Sequence, residues 1–258
     1  MVFIHNSSCV HTSPLVMMFQ IHHSECAVAK LRDLVAVISD VTNISVTTVK
    51  EVARRLRESQ LIQTGKGGRY GGAEMQVSDA VSLFAGLLAL KASGVSLEAM
   101  PPITRALLRA KGQGIYNGTR RAARWPRELQ LPLLQHLQAG HSFKDALSAL
   151  VASEISGDLA RHAKRVEGQQ REPLSVEVHY PEFSARIDFT VPRTRGSGPR
   201  AYTSVDVDYL PQNGLGAPAL RISAAITLPA ISEVAALLNA PGLAEGARTA
   251  RPSVRAHR

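Results

Sequence analysis

A run of short polar and cationic side chains, Thr47, Thr48 and Lys50 followed by Arg54, Arg55 and Arg57, has the types and spacing to touch a polyanion. At the start of a helix, hydroxyls and a lysine reach base edges in a duplex groove, while arginines farther along reach flanking phosphates. A second cationic stretch holds Lys111, Arg120, Arg121, Arg124 and Arg127, with Tyr116 and Trp125 interleaved. It reads either as a second backbone-contacting surface with aromatics available for stacking, or as a solvated connector whose tryptophan plugs the domain surface. Catalytic chemistry is thinner. Asp206 and Asp208, two apart, share a sheet face and, with Asp188, could hold a divalent cation as in a nuclease; Glu177 and His179 share a face likewise. A nuclease wants a lysine beside its carboxylates, and residues 172–240 contain none. No GxSxG, HExxH, paired CxxC or Walker pattern occurs, and Lys111-Gly112-Gln113-Gly114 lacks the Gly-Lys-Ser/Thr end of a phosphate loop. His22, His23 and Cys26 have no second ligand pair at zinc-site spacing. No catalytic set, metal or cofactor is expected.

The elements that must position the first cationic run are legible around it. Leu34, Val35 and Ile38 form the stripe of a first helix; Val41-Thr42-Asn43-Ile44 breaks the pattern, and Ser45 caps a second helix with Val49, Val52, Ala53 and Leu56 on its apolar face. Leu61 and Ile62 read as a strand, then Thr64 to Gly72 as a glycine-rich turn carrying Lys66, Arg69 and Tyr70. Met75 and Val77 read as the return strand, and Ser78-Asp79 starts the next helix.

Taken in that order, the stretch resembles the winged helix-turn-helix of bacterial and phage DNA-binding proteins. The resemblance rests on Leu34, the Ser45-Val46-Thr47-Thr48-Val49 start, Leu56, Leu61-Ile62 and the basic wing, and covers about 50 of the 258 residues. It implies that the helix from Ser45 reads double-stranded DNA. The DNA-facing set is then Ser45, Thr47, Thr48, Lys50, Glu51, Arg54, Arg55 and Arg57, with Lys66, Arg69 and Tyr70 in a wing that follows the backbone or enters the minor groove.

Composition agrees with a globular protein and an acidic partner: 45% hydrophobic and 20% charged residues, with a net charge of +9. The charge is uneven. Residues 30–72 hold eight Lys/Arg against four Asp/Glu, residues 105–127 seven cations and no acid, and residues 172–240 five cations against seven acids. The two cysteines, Cys9 and Cys26, give no disulfide framework and fit a reduced cytoplasm. No run of 18 apolar residues marks a membrane span, and the N-terminus lacks a signal-peptide pattern. Met17 or Met18 could be the biological start.

The expected architecture is α+β: a flexible arm (1–25), a winged helix-turn-helix (26–78), a helical assembly region (79–167), an antiparallel sheet with one covering helix (168–240) and a disordered basic tail (241–258). In the assembly region, 79–93 is apolar on most sides and is either core or shared with another subunit. A helix is expected from Ser96, interrupted at Pro101-Pro102; Lys111 to Gly118 is expected as a mobile loop, 129–138 as a short helix and 141–166 as a longer one. Four alternating segments, 174–180, 183–191, 202–210 and 220–228, read as strands. The leading expectation is a homo-oligomeric transcription regulator, a dimer being favoured because one reader buries little surface. The alternative of the same layout is a DNA-packaging adaptor similar to a phage small terminase subunit, which would form a ring.

Overall fold

The computed structural model describes residues 29–64, 74–116, 119–167, 172–192, 202–210 and 222–239. The arm, the basic tail, the wing residues Lys66, Arg69 and Tyr70, and the side chains of Tyr116 and Arg120 lie outside the described residues. The fold is α+β.

Helix α1 (Leu31–Thr42) buries Leu34, Val35 and Ile38. It stops at Asn43, whose left-handed backbone (φ 53°) returns its N–H to the Asp40 carbonyl, a conformation asparagine tolerates better than most residues. Ser39 Oγ donates to the Ile44 carbonyl at 2.7 Å and ties the turn back onto α1. Ser45 then caps α2 (Val46–Glu58), its Oγ accepting the Thr48 N–H at 3.1 Å.

The strand expected at Leu61-Ile62 is not one. Leu61 donates its N–H to the Leu56 carbonyl, so the chain folds back on the end of α2 and passes through bends, with Ile62 buried. The expected return strand is reduced to a single antiparallel bridge between Glu74 and Lys30, and Val77 already belongs to α3 (Val77–Ser93). The physical reason is Asp79, 1% exposed, whose carboxylate accepts the Gln63 N–H and the Gln76 N–H, each at 2.9 Å. Those two bonds hold Gln63 and Gln76 together at the base of the segment.

Helix α3 is buried on nearly all sides, against α2, α4 (Met100–Arg109), α6 (Phe143–Ile155) and two strands. Core, rather than a shared subunit surface, accounts for its apolar composition. The prolines expected to interrupt the next helix instead begin α4, in a first turn that needs no backbone donor. The expected 129–138 helix is split into a 3₁₀ turn (Arg127–Leu129) and α5 (Pro132–Gln135) by the left-handed Gln130. Gly157, at φ +76°, separates α6 from α7 (Asp158–Arg165).

Most of the expected glycine loop, residues 111–116, is a strand, paired with 119–122. β1 (Lys111–Tyr116) and β2 (Thr119–Ala122) join β3 (Leu174–Tyr180), β4 (Ser184–Pro192), β5 (Tyr202–Leu210) and β6 (Ile222–Thr227) in one antiparallel sheet of order β2-β1-β5-β4-β3-β6. A Cβ at Gly112 would meet Tyr209 Cε1 and Val207 Cγ1 at 3.2 Å, so glycine is what lets β1 lie this close to its neighbours. The sheet therefore takes strands from both sides of the composition change near residue 168. One face is apolar, with Val176, Val178, Ile187, Phe189 and Val207 buried, and α3 lies against β3 and β6. The closing helix α8 (Leu228–Asn239) follows β6 and packs on α6 and α1, linking the sheet to the first helix.

Behind the sheet, Trp125 is buried edge-on to Phe189 and donates its Nε1–H to His141 Nε2 at 3.1 Å; the Tyr209 hydroxyl lies 2.8 Å from the same nitrogen. His141 Nδ1 is 3.1 Å from the Gln138 carbonyl. The consistent arrangement is a neutral imidazole protonated at Nδ1, because an N–H at Nε2 would face a tryptophan donor that cannot accept. Burial holds His141 below its ordinary value of 6.5, and burial followed by the Arg165 charge does the same to His162. The folded chain thus binds fewer protons here than the unfolded one. The stability these imidazoles contribute is complete above about pH 6.5 and is lost as pH falls below it. Urea midpoints are expected to drop between pH 7.5 and pH 5; equal midpoints would show that the two rings take up protons alike in the folded and unfolded chain.

Candidate nucleic-acid interface

Helix α2 divides cleanly. Val49, Val52, Ala53 and Leu56 are buried, and outside that face Val46, Thr47, Lys50, Arg54 and Arg57 are exposed. At 100° per residue these five fall within roughly a third of the helix circumference, a stripe running the length of the helix. Val46, 43% exposed, is an apolar group in the first turn beside Thr47 and Lys50, the combination that meets a thymine methyl and neighbouring base edges.

The other sequence candidates are placed differently. Ser45 and Thr48 are occupied with each other: besides the cap, their hydroxyls lie 2.8 Å apart, and Thr48 is half-buried. Thr48 is part of the start of the helix more than of its outward face. Glu51 receives two bonds from Arg54, one of them at 2.9 Å, and that pairing lowers its pKa while raising that of Arg54. Arg54 also pairs with Glu58. Arg55 lies on the flank, half-buried, with its guanidinium on Glu51, Glu58 and, at 2.9 Å, Glu98. Lys50 and Arg57 have no acidic partner among the described residues, so the stripe carries two uncompensated cations and one arginine held straight by its neighbours. Sequence reasoning passed over Val46 as a contact, and the pairing of Arg55 with Glu98 has no local signature, since 43 residues separate them.

The second basic stretch does not present Trp125 on one surface with its cations. Arg121, Arg124 and Arg127 are exposed, but Trp125 is 5% exposed and committed to His141 and Phe189, which leaves it no face for stacking on a base. Of the two readings of that tryptophan, the plug stands. Lys111 turns into a separate cleft with Arg105, Arg109 and Lys144.

On the polar sheet face, Asp206 and Asp208 share an arginine. Arg186 donates to the Asp208 carboxylate at 2.7 and 3.3 Å and lies 3.9 Å from Asp206; Asp208 raises its pKa further. The carboxylate pair is thus a cross-strand ion ladder, Arg186 standing opposite Asp208 in the register. Among the described residues, no group of three or more His, Cys, Asp or Glu converges as metal ligands would, and no helix is long and apolar enough to cross a membrane.

No family model matches the chain, and no curated protein or solved structure matches it either.

Proposed function

We propose that this chain is a sequence-specific double-stranded DNA-binding protein, a transcription regulator of the bacterial or phage winged helix-turn-helix kind, acting in the cytoplasm as a homodimer. The observation that carries the reading is the outward stripe of α2, Val46, Thr47, Lys50, Arg54 and Arg57, on a helix fixed by a fully buried apolar face. A helix that offers short polar, methyl and cationic groups along one side, and is fixed by its other side, has the shape and chemistry to enter a major groove. The turn at Asn43 to Ser45 sets its angle to α1, and Asp79 accepts the N–H groups of Gln63 and Gln76, which flank the segment carrying Lys66, Arg69 and Tyr70. That placement supports a wing that follows the phosphate backbone.

Selection of bound fragments from a genomic library, followed by footprinting, tests the assignment: recovery of one or a few promoter-proximal sites is expected, and equal retention of all fragments would overturn sequence reading. Light scattering tests assembly, where a dimer agrees with a regulator and a ring of eight or more subunits would point to a packaging adaptor. Replacing Lys66 and Arg69 with alanine is expected to weaken binding to every sequence alike and to lower the slope of log K against log salt by roughly two, about 0.9 for each phosphate contact. An unchanged slope would remove the segment from the backbone.

A further inference from the structure

A cleft of about 610 Å³ opens beside the C-terminal end of α2, and four cationic side chains line it: Arg105 and Arg109 of α4, Lys111 at the head of β1, and Lys144 in the first turn of α6. No acidic side chain is among its lining residues. Arg105 and Arg109, four apart, lie on one side of their helix, and all four cations are solvent-exposed.

These charges are held together by backbone. Phe143 donates its N–H to the Ala110 carbonyl and Gly112 donates to the His141 carbonyl, each at 2.9 Å, and Lys111 pairs with Ser142 as a single bridge. Those bonds stitch the α4–β1 junction to the start of α6, so the walls bearing Arg109, Lys111 and Lys144 cannot drift apart to relieve repulsion. Asp145 is close enough to Lys111 for that charge to help lower its pKa, but it is not among the lining groups and its carboxylate is turned to the α6 cap, accepting from the Ser142 N–H at 3.0 Å and the Ser142 hydroxyl at 2.6 Å. Like charges gathered in a concave site by rigid elements, without a counter-ion among the lining groups, describe a receptor for an anion.

We propose that this cleft binds the di- or triphosphate group of a small molecule. Four cations match the three or four negative charges of such a chain, and guanidinium and ammonium donors from separate elements can grip successive phosphates. The volume exceeds what one phosphate needs and lies in the range of small-ligand pockets, with Leu61 and Leu108 giving a short apolar wall for the remainder. A duplex presents a convex ridge of singly charged phosphates, a poorer match to four cations converging in a concave cleft. The site goes beyond the DNA reading and does not depend on it.

Titration calorimetry of the full chain at low ionic strength, with inorganic orthophosphate, pyrophosphate, tripolyphosphate and ATP, tests the site. Saturable 1:1 binding is expected, with pyrophosphate or tripolyphosphate at least about tenfold tighter than orthophosphate. Arg109→Gln and Lys144→Gln are each expected to weaken it about tenfold, as loss of one charge-assisted hydrogen bond would, with ligand-free melting temperatures unchanged because both side chains are exposed. ATP tighter than tripolyphosphate would identify a nucleotide as the source of the phosphates, and equal affinities the bare phosphate chain. Absence of saturable binding, or binding that both variants leave intact, overturns the proposal. So does a result in which the variants lose affinity for a short duplex but not for polyphosphate, which would make the cleft part of the DNA surface.

Discussion

Asp79→Ala is expected to lower the unfolding free energy by about 3 kcal/mol or more, among the largest losses available from a single polar substitution in this chain. Its carboxylate is buried and accepts backbone N–H groups from Gln63 and Gln76, and it serves as the N3 partner in the cap of α3. Alanine leaves two part-buried backbone donors without their partner, the Gln76 one being the capping bond of α3 itself, at roughly 1–3 kcal/mol each. For a chain of this size the melting temperature should fall by roughly 6–12 °C. Asp79→Asn retains an acceptor and should lose about half as much. Because Gln63 and Gln76 flank the segment bearing Lys66 and Arg69, the alanine variant should also bind DNA with a lower salt slope at temperatures where it remains folded. Calorimetry and salt titrations read the two effects separately. A melting temperature within a degree of the parent would mean the Asp79 bonds are replaced by water.

Asp79 also shows where local sequence patterns stop being informative. Ser78-Asp79 is readable as a helix start, but the bond from Asp79 to Gln63 spans 16 residues and converts an expected strand pair into two bends and a bridge. Elements with strong periodicity were legible. The stripes Leu34, Val35, Ile38 and Val49, Val52, Ala53, Leu56 are buried as their spacing requires, and the alternating segments 174–180 and 202–210 coincide with β3 and β5. β1 was illegible because Gly112, part of a loop signature by composition, is there for close approach to Tyr209 and Val207. That contact exists only once the sheet is assembled. The break at Gly157 was masked by an apolar stripe that continues through it to Leu159.

The candidate interface was legible in the same proportion. Periodicity alone separates the outward side of α2 from its inward side, so Thr47, Lys50, Arg54 and Arg57 were identifiable. What periodicity cannot give is the fate of a charged group once neighbours arrive. Arg55 and Glu51 are polar in any scale, yet they are absorbed into ion pairs with Arg54, Glu58 and Glu98. Trp125 stands in a basic context in sequence and in an aromatic cluster in space, because Phe189 and His141 come from distant segments. The cleft cations Arg105 and Lys144 lie 39 positions apart and are joined only by the stitching of α4 to α6.

Those placements change which substitutions bear on recognition, and set the expected outcome for α2. Thr47→Ala with Lys50→Ala should abolish preference for the selected site while leaving weak, salt-sensitive binding to any duplex. Each good base contact is worth roughly 1–3 kcal/mol, so the pair is expected to reduce specific affinity by about two to four orders of magnitude. Both side chains are exposed and neither has a protein partner among the described residues, so melting temperatures should not move. Thr48→Ala makes the internal comparison. Its hydroxyl lies against Ser45 Oγ, and its loss perturbs the first turn of α2 while the backbone N–H still caps, so a cost of less than about 1 kcal/mol in stability and little change in sequence choice are expected. Footprinting with competitor DNA distinguishes the variants directly. If Thr48→Ala relaxes sequence choice and the Thr47, Lys50 double variant does not, the face of α2 that meets DNA is the flank carrying Thr48 and Arg55, and the outward stripe has another partner.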